Sequence, residues 1–384
     1  MARFAFLTWY GAGNQVPEIG AAQALAARGH TVTFLGYAAQ RSRFESAGFD
    51  FAVLERAEAA YRADEPPERV MAALMDGVWA CPAQAADVAD HLAGGRYDAV
   101  VVDCLMFAAL AALEAASTPV AVLVHSAPGA LAPPGGPGEQ FMLGPVNAAR
   151  EAAGQAPVAN LWQAWAPFST LCTSIPDLDP YAAQVPASFR YVGPVFERMP
   201  AGSLPVWPAG DRRPLVTASF STGHAWDQTS RIARVIAAAR GLDCRLLMLT
   251  GTADMADPAT PENVRRQAFV PHAQVLPVTA ATINHAGHGT IAASLAHGVP
   301  MVLLPNPAAD QPALAARVAE LGAGIALDGE EASGQDIAAA VRAVLTDDSY
   351  RQAAKELQEA ILGADGNRVI ADTLEDLPRS NLDM

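Results

Sequence analysis

The chain is short of the residues that would mark a nucleic-acid-binding protein. Lys and Arg together number 25 against 40 Asp and Glu, which gives a formal net charge of −15 at pH 7. Because nucleic-acid binding depends on clustered basic residues, this balance argues against that class. An acidic surface mainly keeps a protein soluble, and it leaves any anion site dependent on local N–H groups.

Cysteine and long apolar runs are also scarce. The four cysteines are scattered without a Cys-x-x-Cys pair, so we expect buried thiols and not a disulfide framework. No apolar run reaches the length of a membrane span. The N-terminus leads directly into a predicted strand and lacks the pattern of a signal peptide. These absences predict a cytoplasmic protein without a membrane span.

The chain does contain what a two-domain α/β protein needs. Its 384 residues suffice for two domains of ordinary size, and a hydrophobic share of 51% argues against disorder. Short apolar runs of parallel-strand type alternate with Ala-rich stretches in both halves. We predict strands at residues 4–9, 31–36, 99–102, 120–124, 215–220, 245–249, 267–269, 281–284 and 301–304. This alternation predicts two doubly wound, Rossmann-like parallel sheets.

Proline and glycine mark the element and domain boundaries. A helix is predicted over residues 17–28, with Pro17 in its first turn and Gly29 just past its end. Five prolines crowd the stretch 194–214, which resists helix and sheet and predicts a linker. The predicted organisation is a first domain at 1–193, a linker at 194–213, a second domain at 214–365 and a C-terminal helix at 366–384.

The most informative segment runs from Ile283 to Gly324. A strand ends in Asn284-His285, and a glycine-rich turn then opens a helix. Free N–H groups and the helix dipole meet at such a turn, which predicts an anion site. A second strand leads to Asp310-Gln311 at the start of another helix, where a carboxylate and an amide suit sugar hydroxyls. The segment therefore predicts a nucleotide-sugar site.

This segment resembles the donor-binding motif of the family-one, inverting GT-B glycosyltransferases, and most of all their actinobacterial natural-product branch. The matching residues are His285, Gly287, Gly289-Thr290, Gly298-Val299-Pro300, Pro305 and Asp310-Gln311. Many fixed spacings within one short segment make the match specific. The resemblance implies two Rossmann-like domains facing across a cleft, with the last helix crossing back to the first domain.

Two further segments extend the resemblance to the rest of the donor site. Ser219-Phe220-Ser221-Thr222 matches a turn that places Thr222 on the diphosphate. The segment from Phe269 to His272 matches the nucleobase-binding segment, in which Val270 presents its main chain to the base. His272, His285 and His288 lack the spacing of a metal site. The resemblance accordingly implies no metal and no cofactor beyond a dTDP- or UDP-linked sugar as co-substrate.

The resembled family uses a loop histidine as general base, and this chain has Asn14 at that position. An amide cannot take a proton at neutral pH. Asp103 and His125, each at the end of a predicted strand, are the candidates for a replacement base. Alternatively, the acceptor needs little deprotonation because it is an amine, an amide or an acidic phenol. A third alternative is that transfer chemistry has been lost.

Aromatic and methionine side chains of the first domain are expected to contact a hydrophobic acceptor. The candidates are Trp9, Tyr10, Met106, Phe107, Phe141 and Met142. The predicted activity is transfer of a hexose or deoxyhexose from a nucleotide sugar to a small natural-product aglycone. Alternatives from other classes are a nucleotide-sugar-binding helper protein and a GT-B nucleotide-sugar epimerase. The nucleobase, the sugar, the aglycone, the linkage and a homodimeric assembly stay open.

Overall fold

A computed structural model describes residues 1–61, 69–93, 95–220, 228–251, 253, 260–307 and 310–378. The chain divides into two compact units. The first comprises Met1–Pro176, Tyr181–Arg198 and the C-terminal residues from Ala364, and the second comprises Asp177–Pro180 and Met199–Gly363. Within the described part of the chain, no helix is long and apolar enough to cross a membrane.

The first unit is built on a seven-stranded parallel sheet of order β3-β2-β1-β4-β5-β6-β7. Its strands are β1 (Arg3–Leu7), β2 (Thr31–Gly36), β3 (Asp50–Val53), β4 (Ala99–Asp103), β5 (Val120–Val124), β6 (Ser169–Cys172) and β7 (Phe189–Tyr191). The direction in which successive strands are added reverses between β1 and β4, so the topological switch point of the sheet lies between these two strands. Ligands of doubly wound folds bind beyond the carboxyl ends of the strands at such points.

Both faces of this sheet are covered, which explains the continuous apolar runs in the sequence. In β1, Phe4 and Phe6 belong to one core cluster, and Ala5 and Leu7 belong to another. All four side chains are at most 1% exposed. A strand buried on both faces needs apolar residues at every position, not at alternate positions.

Helices of the first unit cover these two faces. They are α1 (Ala12–Ala26), α2 (Arg41–Ser46), α3 (Glu55–Ala60), α4 (Val70–Leu74), α5 (Ala83–Leu92), α6 (Phe107–Leu113), α7 (Pro128–Leu131), α8 (Pro137–Ala152) and α9 (Leu161–Trp165). A π-helical turn, Met75–Trp79, follows α4. Before β7 the described residues include 3-10 turns at Ala38–Gln40, Pro176–Leu178 and Ala182–Gln184.

Helix α1 begins five residues earlier than the sequence predicts. Gly11 is its N-cap, and Pro17 lies inside the helix instead of in its first turn. Asn14 is therefore a helical residue and not part of an open loop. At the other end Gly29 takes a φ of 86°, the left-handed conformation expected after a helix.

The second unit has a six-stranded parallel sheet of order β10-β9-β8-β11-β12-β13, with its switch point between β8 and β11. Its strands are β8 (Leu215–Ser219), β9 (Arg245–Leu249), β10 (Val264–Gln267), β11 (Ala281–Asn284), β12 (Met301–Leu303) and β13 (Gly324–Ala326). Its helices are α10 (Thr229–Ala239), α11 (His272–Val275), α12 (His288–Ala296), α13 (Gln311–Glu320), α14 (Gly334–Thr346) and α15 (Asp348–Ala364), with a 3-10 turn at Leu276–Val278.

The sequence predicts nine of the thirteen described strands and misses β3, β6, β7 and β13. It also misplaces β10. The sequence placed this strand at 267–269, whereas the structure has it at Val264–Gln267. The strand lies at the edge of the sheet and carries Arg265 and Arg266, both partly exposed. Edge strands often carry charged side chains, so an apolar-run criterion misses them.

The structure divides the predicted linker between the two units. Asn367 exchanges two hydrogen bonds with the Phe196 main chain, at 3.0 and 2.8 Å, and Gln23 does the same with Arg198, at 2.7 and 3.0 Å. Residues 194–198 therefore belong to the first unit. Further on, Trp207 packs under the guanidinium groups of Arg245 and Arg265 within the second unit.

The C-terminal helix α16 (Gly366–Asp376) packs against α1 in the first unit. Ile370 and Leu374 are fully buried in the core cluster of the Phe4 and Phe6 face. Arg28 donates to Asp372 and Glu375, each at 2.7 Å. The last helix is thus an integral part of the first unit.

Candidate functional site

The switch point of the first sheet brings together Trp9, Asp103 and His125. Asp103 ends β4 and is 1% exposed. Its Oδ2 lies 2.7 Å from His125 Nδ1, and its Oδ1 accepts from Trp9 Nε1 at 2.9 Å and from the Leu105 main-chain N–H at 2.9 Å. The structure therefore pairs the two residues that the sequence offered as candidate bases.

The His125 imidazole is held in an acidic environment. Burial by itself lowers the pKa of His125, but the Asp103 carboxylate and Cys104 raise it by more, so the pKa lies well above its ordinary value. The His125 side chain keeps 13% of its surface exposed, whereas the Asp103 side chain has none. In this arrangement a buried carboxylate orients the imidazole and stabilises its protonated form.

Asn14 does not reach Asp103. Its Nδ2 donates to the Trp9 carbonyl at 3.3 Å and to Glu18 Oε1 at 3.4 Å. Glu18 is 1% exposed and also accepts a short hydrogen bond from the Thr8 hydroxyl. Burial, followed by the charge of Asp103, raises the pKa of Glu18 well above its ordinary value, which favours the neutral acid. The position of the usual base thus holds an amide in a buried polar network.

Asp103, Cys104 and His125 are the group of described residues whose ligand atoms come within 4.8 Å of one another. The fit to a metal ion is poor. His125 Nδ1 is at hydrogen-bond distance from Asp103, with Cys104 Sγ 3.6 Å away. Burial and then the charge of Asp103 raise the pKa of Cys104 to about 11, whereas a metal ligand must be a thiolate. An ion would have to displace the hydrogen bonds that organise the pair.

The predicted acceptor-contact residues divide into exposed and buried sets. Tyr10 is 40% exposed and Phe141 47% exposed. The prediction is corrected for Trp9, Met106, Phe107 and Met142, which are buried core side chains. Phe107 stacks on Trp165 with the ring centroids 6.1 Å apart, which accounts for its burial. A large side chain next to a strand end fills the core as readily as it lines a site, and sequence alone does not separate the two.

At the switch point of the second sheet, His285 directly follows β11 and begins a strained turn. Ala286 adopts a φ of 62°, in the left-handed region, and its N–H donates to Asn284 Oδ1 at 2.9 Å. Gly287 is the N-cap of α12. A Cβ added to Gly287 would lie 2.6 Å from His285 Nε2, so glycine is required here for space and not for its φ.

The His285 ring is neutral at pH 7. Burial and the nearby charge of Arg231 lower its pKa to about 4. His285 Nδ1 is buried and has no hydrogen-bond partner among the described residues. A neutral imidazole carries a single N–H, so it can donate to an anion from one nitrogen only. Gly289 and Thr290 belong to the first turn of α12. The main-chain N–H groups of such a turn favour an anion at the start of the helix.

Asp310 and Gln311 stand where the sequence placed them, at the start of α13. Asp310 is the N-cap residue, and its side chain makes no capping hydrogen bond. Gln311 Oε1 accepts from the Asn306 main-chain N–H at 3.0 Å. This hydrogen bond fixes the orientation of the predicted sugar-reading amide.

A buried guanidinium lies behind these residues. Arg231 on α10 is 4% exposed and donates to Asn306 Oδ1 at 2.6 Å, to Gln228 at 2.9 Å and to the Gly329 carbonyl at 3.0 Å. It also packs over the Phe220 ring, 5.6 Å from the centroid. Arg231 therefore adds positive potential to the carboxyl edge of the sheet, next to His285.

The predicted nucleobase segment joins β10 to α11. Phe269 is 60% exposed, whereas the Val270 side chain is buried. His272 begins α11, where burial and then the neighbouring His297 lower its pKa to about 4. Thr222 lies outside the described residues.

Sequence inspection missed four polar residues of these two regions, namely Glu18, Trp79, Arg231 and Asn306. Each is buried, and the pairing of Arg231 with Asn306 joins residues that are 75 positions apart. Glu18 has a weak local signal, because a glutamate on the apolar face of α1 needs a polar partner. Arg231 likewise stands out only once the buried face of α10 is known.

A family model matches most of the second unit. Residues 233–377 match the family described as "Erythromycin biosynthesis protein CIII-like, C-terminal domain". The second unit is therefore similar to this family over most of its length. The matched region also includes α16, which packs in the first unit.

A curated relative matches over a similar extent. The 4'-demethylrebeccamycin synthase of Lentzea aerocolonigenes is 31% identical over 210 residues, which cover 54% of this chain and 49% of the relative. This chain spans about half the length of the curated relatives it matches.

Solved structures match over the whole chain. The glycotransferase of kitacinnamycin has a TM-score of 0.81 at 21% identity, covering 98% of this chain and 99% of that one. Glycosyltransferase VinC, solved in complex with dTDP, has a TM-score of 0.69 at 20% identity, with 100% of each chain covered. Likeness at these identities establishes the fold alone, which is GT-B, as the sequence motif predicted.

Proposed function

We propose that this protein is an inverting glycosyltransferase that moves a hexose or deoxyhexose from a nucleotide sugar to a small aromatic natural-product acceptor. The observation that carries the proposal is the His125–Asp103 pair, 2.7 Å apart at the carboxyl edge of the first sheet. A protein that only bound nucleotide sugars would have no use for an oriented base there. The pair supplies the function of the histidine that the chain lacks.

The second domain would bind the donor. The N–H groups of the Gly287 turn, His285 and the positive potential of Arg231 favour a diphosphate, and Asp310 and Gln311 would read the sugar hydroxyls. Phe269 would stack on the base. A dTDP-linked donor is the first choice, supported by VinC, which was solved with dTDP. This set of N–H donors and cationic groups would stabilise the diphosphate without a metal ion.

In the proposed reaction the acceptor N–H or O–H attacks the anomeric carbon from the face opposite the diphosphate. The bond between the anomeric carbon and the diphosphate oxygen breaks, and its electron pair leaves with the nucleoside diphosphate. The acceptor proton passes to neutral His125, and Asp103 stabilises the imidazolium that forms. The transition state has oxocarbenium character, as in other glycosyl transfers.

The test combines the donor alone with the donor plus an acceptor. Purified protein is incubated with a dTDP- or UDP-linked hexose, with and without a mixture of phenolic and N-heteroaromatic acceptors, and products are identified by mass spectrometry. Glycosylated acceptor with a β-linkage from an α-linked donor is the expected result. Epimerised donor without an acceptor would identify an epimerase. Donor binding without any product would identify a helper protein and refute the proposal.

A further inference from the structure

The two oxygens of the Asp103 carboxylate have different partners. Oδ1 accepts from the Trp9 indole Nε1 and from the Leu105 main-chain N–H, each at 2.9 Å, whereas Oδ2 lies 2.7 Å from His125 Nδ1. Two donors on one oxygen fix the plane of the carboxylate, and the other oxygen then meets the imidazole in a fixed direction. The orientation of His125 therefore depends on groups that do not touch it.

The main chain of Trp9 is anchored from several sides. Its carbonyl accepts from Gln40 Nε2 at 2.8 Å, from the Gly11 N–H at 2.8 Å and from Asn14 Nδ2 at 3.3 Å. Gln40 ends a 3-10 turn and Asn14 lies in α1, so two separate elements hold this carbonyl. Asn14, at the position of the usual base, thus helps to hold the residue that donates to Asp103.

The ring of Trp9 has little room to move. It is 8% exposed and meets the Trp79 ring edge to face, with centroids 5.6 Å apart and planes at 88°. A Cβ added to Gly11 would lie 2.8 Å from Trp9 Cη2, closer than a Cβ approaches another atom in real proteins. Because the ring is closely packed, its N–H stays directed at Asp103.

We propose that Trp9 is a positioning residue of the transfer reaction: its indole N–H orients the Asp103 carboxylate, which in turn orients His125. The inference rests on the proposed function and adds a residue that acts without contacting the acceptor. With Asp103 fixed, the neutral His125 ring carries its proton on Nδ1, and Nε2 is the nitrogen that accepts the acceptor proton. Without the indole N–H, the carboxylate loses one of the bonds that fix its plane, and this tautomer is held less firmly.

The first measurement needs no substrate, because it follows the His125 ring by NMR in protein labelled with ¹⁵N-histidine. Spectra are recorded above the raised pKa of His125, where the ring is neutral, and His125→Ala identifies its signals. Wild type should show the Nδ1–H tautomer alone. Trp9→Phe, which keeps an aromatic ring but removes the N–H, should show a mixture of the two tautomers.

The matched control for this substitution is Trp162→Phe. Trp162 is a buried indole of the same core cluster as Trp9, and it packs against Phe189. The control makes the same change in side-chain size and removes an indole N–H that has no partner among the described residues. It should leave the His125 tautomer as in wild type.

A second pair of variants displaces the Trp9 ring without removing its N–H. Gly11→Ala places a methyl group against this ring, whereas Gly13→Ala adds the same group where nothing lies within 4 Å. Gly11→Ala should give the tautomer mixture, and Gly13→Ala should not. Circular dichroism and thermal melting show which variants are folded, and this pair decides the question if Trp9→Phe does not fold.

Kinetics separate positioning from a general loss of packing. Trp9→Phe should lower kcat about tenfold, the scale of one hydrogen bond to a charged group, and leave the KM for the donor unchanged. In an Asp103→Asn background the same substitution should have little further effect, because Trp9 acts through the carboxylate. Equal factors in the two backgrounds would contradict the proposed relay from Trp9 through Asp103.

Several other results would overturn the inference. They are a wild type that already shows both tautomers, a single tautomer in every folded Trp9→Phe and Gly11→Ala protein, a tautomer mixture in either control, and an unchanged kcat in folded Trp9→Phe. Failure of the proposed function gives a different pattern. A protein that transfers no sugar would still show the predicted tautomers, because they are measured without substrate.

Discussion

At the scale of single residues, the proposed base His125 follows a different strand from the one that the usual base of the resembled family follows. His125 follows β5, one strand beyond Asp103 in the sheet, and pairs with it at 2.7 Å. The position that supplies the base in the resembled family holds Asn14 in the first turn of α1, where it donates to Glu18 and to the Trp9 main chain. The chemistry can move because the ends of neighbouring parallel strands converge on one place.

The first prediction concerns the pH dependence of transfer. The His125 pKa is raised, so the neutral base is present only at a pH above that raised value, and kcat should fall on the acidic side of it. His125→Ala should lower kcat by about 10²–10⁴ and abolish this acidic limb. Asp103→Asn removes the carboxylate that raises the pKa, so the limb should move to lower pH and the plateau should drop.

The measurement is the initial rate against pH with one accepted acceptor at saturating donor. His91→Ala, which changes a histidine of α5 in the same unit, is the control and should keep the wild-type profile. A full plateau in His125→Ala would show that no base is needed at this position. An acidic limb that survives in that variant would assign the titration to another group.

At the scale of elements, the turn between β11 and α12 shows how two glycines of one motif differ. A Cβ at Gly287 would collide with the His285 ring, whereas a Cβ at Gly289 would meet nothing within 4 Å. Neither glycine has a positive φ. The sequence motif treats the two alike, but the structure predicts that only the first is required by packing.

The second prediction compares substitutions at Gly287 and Gly289. Gly287→Ala should displace His285 from the turn and weaken nucleotide-sugar binding by about 1–3 kcal/mol, the scale of a lost hydrogen bond to a charged group. Gly289→Ala adds the same methyl group at an open position and should change affinity little. Titration calorimetry with one donor gives both values. Equal losses in the two variants would mean that the methyl group acts on the turn backbone and not through His285.

At the scale of the whole molecule, the sequence was enough to predict two parallel sheets and the residues at the carboxyl ends of their strands. Strand β2, with both ends as predicted, shows how well apolar runs locate buried strands. The contacts that organise the site were not predictable. Trp9 and Asp103 are 94 positions apart, and no local pattern announces their hydrogen bond. The early start of α1 was also missed, because Pro17 was given the role of a first-turn residue.

The last prediction follows from the C-terminal helix being part of the first unit. Leu374 on α16 is fully buried, so Leu374→Ala should destabilise that unit by about 2–5 kcal/mol through lost burial and a cavity. Leu362 on α15 is 60% exposed, and Leu362→Ala should change stability by less than about 0.5 kcal/mol.

Since the chain has two compact units, urea unfolding is expected to show more than one transition. A third variant, Val341→Ala in the core of the second unit, identifies which transition belongs to which unit. If Leu374→Ala lowered the same transition as Val341→Ala and left the other unchanged, the last helix would not be stabilising the first unit.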